Sequence, residues 1–169
     1  MPKKTKPQRR ANPFAKWKKS KDLRLGPRSQ RVWLLANPED SKECIVMKQY
    51  NRKDKSHRER FDKEVAVLRR LRDCPFVPRL LFVSHSKCAL WMSWCGPVAS
   101  LDAAARKQVE LHLQELSSRW GLQRVQGSSH PRFDAASIFP KNICRLGDEV
   151  KLIDFGSGAW RLLPRPVHG

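Results

Sequence analysis

The stretch Val150-Lys151-Leu152-Ile153-Asp154-Phe155-Gly156 decides how the chain is read. Val150, Leu152 and Ile153 predict a short buried strand that carries an acid at its end. An unpaired carboxylate there is costly, so Asp154 is expected to meet a charge or a ligand. Upstream, Asn142-Ile143-Cys144-Arg145 predicts a second short strand, and Leu146-Gly147-Asp148-Glu149 predicts the turn between them. The hairpin would bring the Asn142 carboxamide beside the Asp154 carboxylate.

Working outward, Arg31-Val-Trp-Leu-Leu35 and Glu43-Cys-Ile-Val-Met-Lys-Gln-Tyr50 read as a strand pair around the turn Asn37-Pro-Glu-Asp40. Phe61, Val65, Leu68 and Leu71 recur at helical steps, with Ser56 as the expected cap and Cys74-Pro75 as the stop. Two more strands are expected at Arg79–Ser84 and Cys88–Trp94, before the break Gly96-Pro97. Ser100 is expected to cap a second helix carrying Leu101, Ala105, Val109, Leu113 and Leu116 on one face, ending at Gly121. Strands, helix, strands, helix and hairpin make an α+β order, not an alternating one.

In this setting Asp154-Phe155-Gly156 resembles the metal-binding D-F-G of the protein kinase superfamily. Pro140-Lys141-Asn142, twelve residues before Asp154, resembles the P-x-N of a kinase catalytic loop. Ile45-Val46-Met47-Lys48 resembles V-A-I-K, and Phe61-Asp-Lys-Glu64 resembles the helix whose glutamate pairs with that lysine. Leu90-Trp-Met-Ser-Trp-Cys-Gly96 is similar to the strand and hinge against which adenine lies. The motifs keep kinase order from Leu23 to about Ala159.

The resemblance implies a protein kinase-like N-lobe, an antiparallel sheet plus one helix, over residues 22–95. It implies a minimal, truncated C-lobe over residues 96–169, closest in size to small atypical kinases such as the RIO or lipopolysaccharide-core kinases. The implied cofactors are ATP and Mg²⁺. Lys48 would reach the phosphates, Glu64 would orient Lys48, Gly26 would belong to the phosphate loop, and Asn142 and Asp154 would hold the metal.

The chain also departs from that pattern. Gly26-Pro-Arg-Ser-Gln-Arg31 has one glycine where G-x-G-x-x-G belongs, so it is either a cradle using Arg28 and Arg31 or an ordinary basic turn. Five residues before Asn142 stands Ser137, not an acid; the nearest upstream acid is Asp134, in Arg132-Phe133-Asp134. Two readings stay open. In one, Asp134 orients an acceptor hydroxyl on an unknown protein or small molecule and the chain is a kinase. In the other it is a pseudokinase, a binding or regulatory module for a protein partner.

Charge opens a third reading. The 169 residues hold 35 Lys and Arg against 16 Asp and Glu, a formal net charge of +19. Nine of those cations fall in residues 1–21, where no acid occurs and Pro2, Pro7 and Pro13 interrupt the chain. Such a segment is expected to be a disordered arm attracted to nucleic acid or an anionic surface. The chain would then be a basic nucleic-acid-binding protein. No apolar run reaches the roughly 20 residues of a membrane span, and no secretory signal follows the basic start. Five cysteines without paired spacing are expected as reduced core thiols, which fits an intracellular protein, cytoplasmic or nuclear.

Overall fold

The computed structural model describes residues 11–23, 30–125, 131–138 and 140–164. Five antiparallel strands form the main sheet: β1 (Lys18–Asp22), β2 (Arg31–Ala36), β3 (Cys44–Gln49), β4 (Leu80–Ser84) and β5 (Ala89–Ser93). Their spatial order is β1-β2-β3-β5-β4. Helix α1 (Lys55–Arg70) leaves the sheet after β3 and returns to β4; α2 (Ala103–Trp120) follows β5. Two small ribbons complete the fold. One pairs β6 (Leu122–Arg124) with β9 (Trp160–Leu162), and the other pairs β7 (Ile143–Leu146) with β8 (Glu149–Leu152). The chain is therefore α+β, as its element order predicts.

The period of two along the strands sorts the side chains onto two faces. Val32, Leu34, Val46, Leu90 and Met92 point toward the helices and join the main core with Phe61, Val65, Leu68, Leu113, Leu116 and Phe155. Leu35, Ile45, Ala89 and Trp91 point the other way, into a second cluster with Trp33, Met47 and Phe82.

That outer face corrects the expectation of disorder for residues 11–21 of the basic arm. Residues 1–10 lie outside the described residues, but Phe14 and Trp17 pack on the second cluster, edge to face at 5.3 Å. Lys18–Asp22 is the edge strand β1, paired with β2. All five of its residues are exposed. Lysines suit an exposed edge because they discourage further strand pairing, so a composition that reads as disorder here belongs to a sheet. Lys19 adds a contact, its Nζ 3.7 Å from the Trp33 ring centroid.

The caps also move by two residues. Asp54, not Ser56, caps α1 by accepting from the His57 N–H at 3.2 Å. Asp102, not Ser100, caps α2 by accepting from Ala105 at 2.7 Å. A carboxylate accepts more strongly than a hydroxyl and complements the helix dipole. Gly121 ends α2 as expected. All five cysteines are free. No helix among the described residues is long and apolar enough to cross a membrane.

Candidate functional site

A cavity of about 410 Å³ opens between the main sheet and the β7–β8 hairpin. Its roof is apolar: Val32 and Leu34 from β2, Val46 from β3 and Met92 from β5. One end is closed by Trp94-Cys95-Gly96-Pro97. The floor comes from Lys141, Asn142 and Cys144 below and from Ile153 and Asp154 beyond β8. An apolar slot with charged groups at one end is the usual form of a small-molecule site.

Gly96 fixes the closed end. Its φ is +86°, and a Cβ there would stand 2.0 Å from the Arg145 carbonyl oxygen. Only glycine lets the chain pass that close to β7. Backbone bonds then lock the hairpin beneath the sheet: Arg145 N–H to Pro97 O at 3.0 Å and Ala99 N–H to Ile143 O at 2.9 Å.

At the other end, charges from three distant segments meet. Strand β3 alternates, so Val46 and Lys48 share its inner face, and Tyr50, just past its end, joins the same core. On α1, Glu64 lies three residues after Phe61 and four before Leu68, which turns it into the core. Lys48 Nζ donates to Glu64 Oε1 at 3.0 Å and stands 2.8 Å from Oε2. It also donates to Asp154 Oδ1 at 2.8 Å, across 106 residues of sequence. The Tyr50 hydroxyl donates to Glu64 Oε2, and the Phe155 N–H reaches Glu64 Oε1 at 3.4 Å. Lys48 is 4% exposed and Glu64 1%.

Electrostatics follow from that packing. Burial alone would lower the Lys48 ammonium pKa, but Glu64, Tyr50 and Asp154 reverse this and hold it well above the ordinary value. Burial likewise pushes Asp154 up, and Lys48, Arg60 and Lys141 more than offset it, leaving its carboxyl below the usual range. Burial and Glu64 drive the Tyr50 phenol well upward, so it stays a donor. Cys95 and Cys144 in the cavity wall are inert thiols, pushed up to about 11 and about 12 by burial.

Asp154 has φ +66°. A left-handed backbone is strained for most residues, but Asp tolerates it because its short side chain can bond locally. After it, Gly156 approaches α1 so closely that a Cβ would meet the Tyr50 hydroxyl at 2.8 Å and the Arg60 carbonyl oxygen at 3.0 Å. Lys63 then ties the segment down by donating to Ser157 O at 2.8 Å.

Of the residues singled out in the sequence, Lys48, Glu64, Asn142 and Asp154 all line this one cavity. Gly26 and Arg28 lie outside the described residues, although Leu23 and Gln30 on either side of that segment line the cavity. Asp134 is exposed and is not among the lining residues. Ser137 is buried and its hydroxyl donates to the Asp134 carbonyl oxygen at 2.8 Å. It is held in turn by Arg124, whose Nε donates to Ser137 O at 2.9 Å.

Sequence reasoning missed Tyr50 and Arg124. Tyr50 was findable: two residues beyond Lys48 on a strand, it must share the lysine's face. Arg124 carries no such signal, since its position depends on the β6–β9 ribbon. No protein-family model matches the chain, and no curated protein matches it.

Proposed function

We propose that the chain is a small kinase-like protein that binds ATP with Mg²⁺ in this cavity. The observation that carries the reading is the meeting of Lys48, Glu64 and Asp154 at the polar end of an apolar slot. The adenine ring would lie under Val32, Val46 and Met92 with its edge toward Trp94–Pro97. The phosphates would run to Lys48, which Glu64 and Tyr50 hold in place. The five-stranded sheet with α1 against it supports an N-lobe, and α2 with the two ribbons supports a minimal C-lobe.

The donor set fits Mg²⁺. Asn142 and Asp154 offer hard oxygens on one cavity wall, and Mg²⁺ commonly takes one or two protein oxygens together with water and substrate phosphate. Among the described residues no group of three or more His, Cys, Asp or Glu could hold a metal. An ion here would therefore depend on the nucleotide for much of its shell. Bound, it would neutralise charge on the phosphates.

In the active reading Asp134 would orient a hydroxyl acceptor and take its proton as the γ-phosphoryl group moved to that oxygen and ADP left. A second reading, a catalytically inactive module that binds nucleotide and a protein partner, is favoured by the exposure of Asp134 away from the cavity lining. Supplying an acid at position 137 is no remedy, because Ser137→Asp would bury a carboxylate where a bonded hydroxyl sits.

A thermal-shift titration with ATP, with and without Mg²⁺, tests the binding. The proposal expects a melting temperature that rises with ATP and rises further with Mg²⁺. No shift at millimolar ATP rejects it. Transfer assays on wild type and Asp134→Asn then separate the two readings. A fall of roughly 10²-fold or more supports the active one, and no transfer in wild type supports the inactive one.

A further inference from the structure

A second cavity, about 560 Å³, lies at the end of the main sheet opposite the Trp94–Pro97 segment. Register fixes that placement: Gln49 pairs with Arg31 on one side and Ala89 on the other, while Ile45 pairs with Ser93 at the far end. Four cations line it from three separate segments. Arg31 begins β2, Arg52 and Lys53 follow β3, and Lys87 belongs to the turn between β4 and β5. No acid lines the cavity. Among the described residues, no carboxylate pairs with any of the four.

We infer that this groove binds the phosphodiester backbone of a nucleic-acid strand. Four like charges gathered without a counter-ion repel one another, and a polyanion removes the repulsion while releasing its own counter-ions. The remaining lining suits the same ligand. The Gln49 and Asn51 side chains and the Ser86 hydroxyl offer the neutral hydrogen bonds that phosphates and sugars accept. Tyr50 is 2% exposed with its hydroxyl taken by Glu64, and His57 is half-buried edge to face against it, so the groove offers no exposed aromatic face for stacking a base. Binding is therefore expected to follow phosphate spacing and not base sequence.

Two rival ligands fit less well. A membrane surface calls for apolar or aromatic side chains beside the cations, and the lining has none that is exposed. A phosphopeptide calls for pockets that receive its neighbouring side chains, and these walls are polar. The net charge of +19 also favours a ligand with many phosphates over one with a single phosphate.

The test measures anisotropy of a fluorescein-labelled single-stranded 20-mer with the full chain, across a range of salt. The groove variant is Arg52→Ala/Lys53→Ala/Lys87→Ala. The control variant is Arg79→Ala/Lys42→Ala/Lys107→Ala, which removes the same charge from exposed positions elsewhere. The groove variant should weaken binding by roughly ten-fold or more near 0.15 M salt. It should flatten the log–log salt slope by about two, the worth of three phosphate contacts on a single strand. The control should stay within about two-fold of wild type. Equal losses in both variants overturn the inference, since net charge alone would then explain binding. So does a groove variant that loses anionic vesicles or a phosphoserine peptide but keeps the oligonucleotide. All six replaced side chains are exposed, and circular dichroism should confirm unchanged folding.

Discussion

Two sets of cations, one inside the sheet and one at its end, obey opposite rules. Inside the sheet, Lys48 is buried, meets two carboxylates, and Glu64 is bonded again by Tyr50 and the Phe155 backbone. Outside it, Arg31, Arg52, Lys53 and Lys87 are exposed and meet no carboxylate among the described residues. Burial makes compensation obligatory, because an unpaired interior charge is far costlier than a solvated one. Water removes that obligation, so uncompensated charge at a surface is free to serve an external anion. The same residue type thus carries structure where it is buried and is left open to an external anion at the end of the sheet.

The comparison breaks most visibly at Lys48. Lys48→Met would leave the buried Glu64 carboxylate without its cation, at a cost of about 3–5 kcal/mol. Urea unfolding of the variant measures it, and a loss under about 1 kcal/mol would mean the cluster is better hydrated than its burial implies. Tyr50→Phe keeps the ring and removes one donor to a buried carboxylate. It should cost roughly 1.5–3 kcal/mol, read from the same unfolding midpoint.

His112 sharpens the contrast with a group that burial keeps neutral. It stacks on Phe76 with centroids 3.9 Å apart, and its Nε2 lies 3.1 Å from Val150 O. Desolvation lowers its pKa below the ordinary 6.5, with Val150 and Glu115 opposing. The unfolded chain then takes up a proton before the folded one does. The neutral ring contributes stability above the unfolded value, and that contribution fades as pH falls through 6.5 toward the folded pKa. Melting temperature should drop on acidification across that window, and His112→Gln should flatten that part of the slope. A slope unchanged in the variant would assign it elsewhere.

The groove should respond least. Arg52→Ala/Lys53→Ala/Lys87→Ala is expected to stay within about 0.5 kcal/mol of wild-type stability. A loss of about 2 kcal/mol or more would show these side chains to be structural, and the distinction between the two regions would fail.

Much of this arrangement was legible in the sequence. The alternation of Val46, Lys48 and Tyr50, and the helical steps from Phe61 through Glu64 to Leu68, follow from periods of 2 and 3.6. Those periods alone turn Lys48 and Glu64 inward. Asp154 was legible because an acid ending an apolar run needs a partner. What escaped was long-range pairing. β6 and β9 are three residues each and form only because residues 122–124 and 160–162 meet. β1 escaped because lysines on an edge strand look like lysines in a tail. Asp134 shows the limit of spacing arguments: the nearest acid upstream of Asn142, eight residues before it, is exposed and off the cavity wall.

The central claim is that Lys48, Glu64 and Asp154 serve Mg²⁺-ATP, and calorimetric titration of ATP into wild type and Asp154→Asn tests it most directly. Asparagine also tolerates the left-handed backbone at position 154, and Lys48 keeps Glu64, so the variant should fold. The account predicts that Mg²⁺ strengthens ATP binding to wild type and adds little in Asp154→Asn, while Mg²⁺-free binding changes far less. Mg²⁺ enhancement equal in both proteins, or no ATP binding in either, would contradict it.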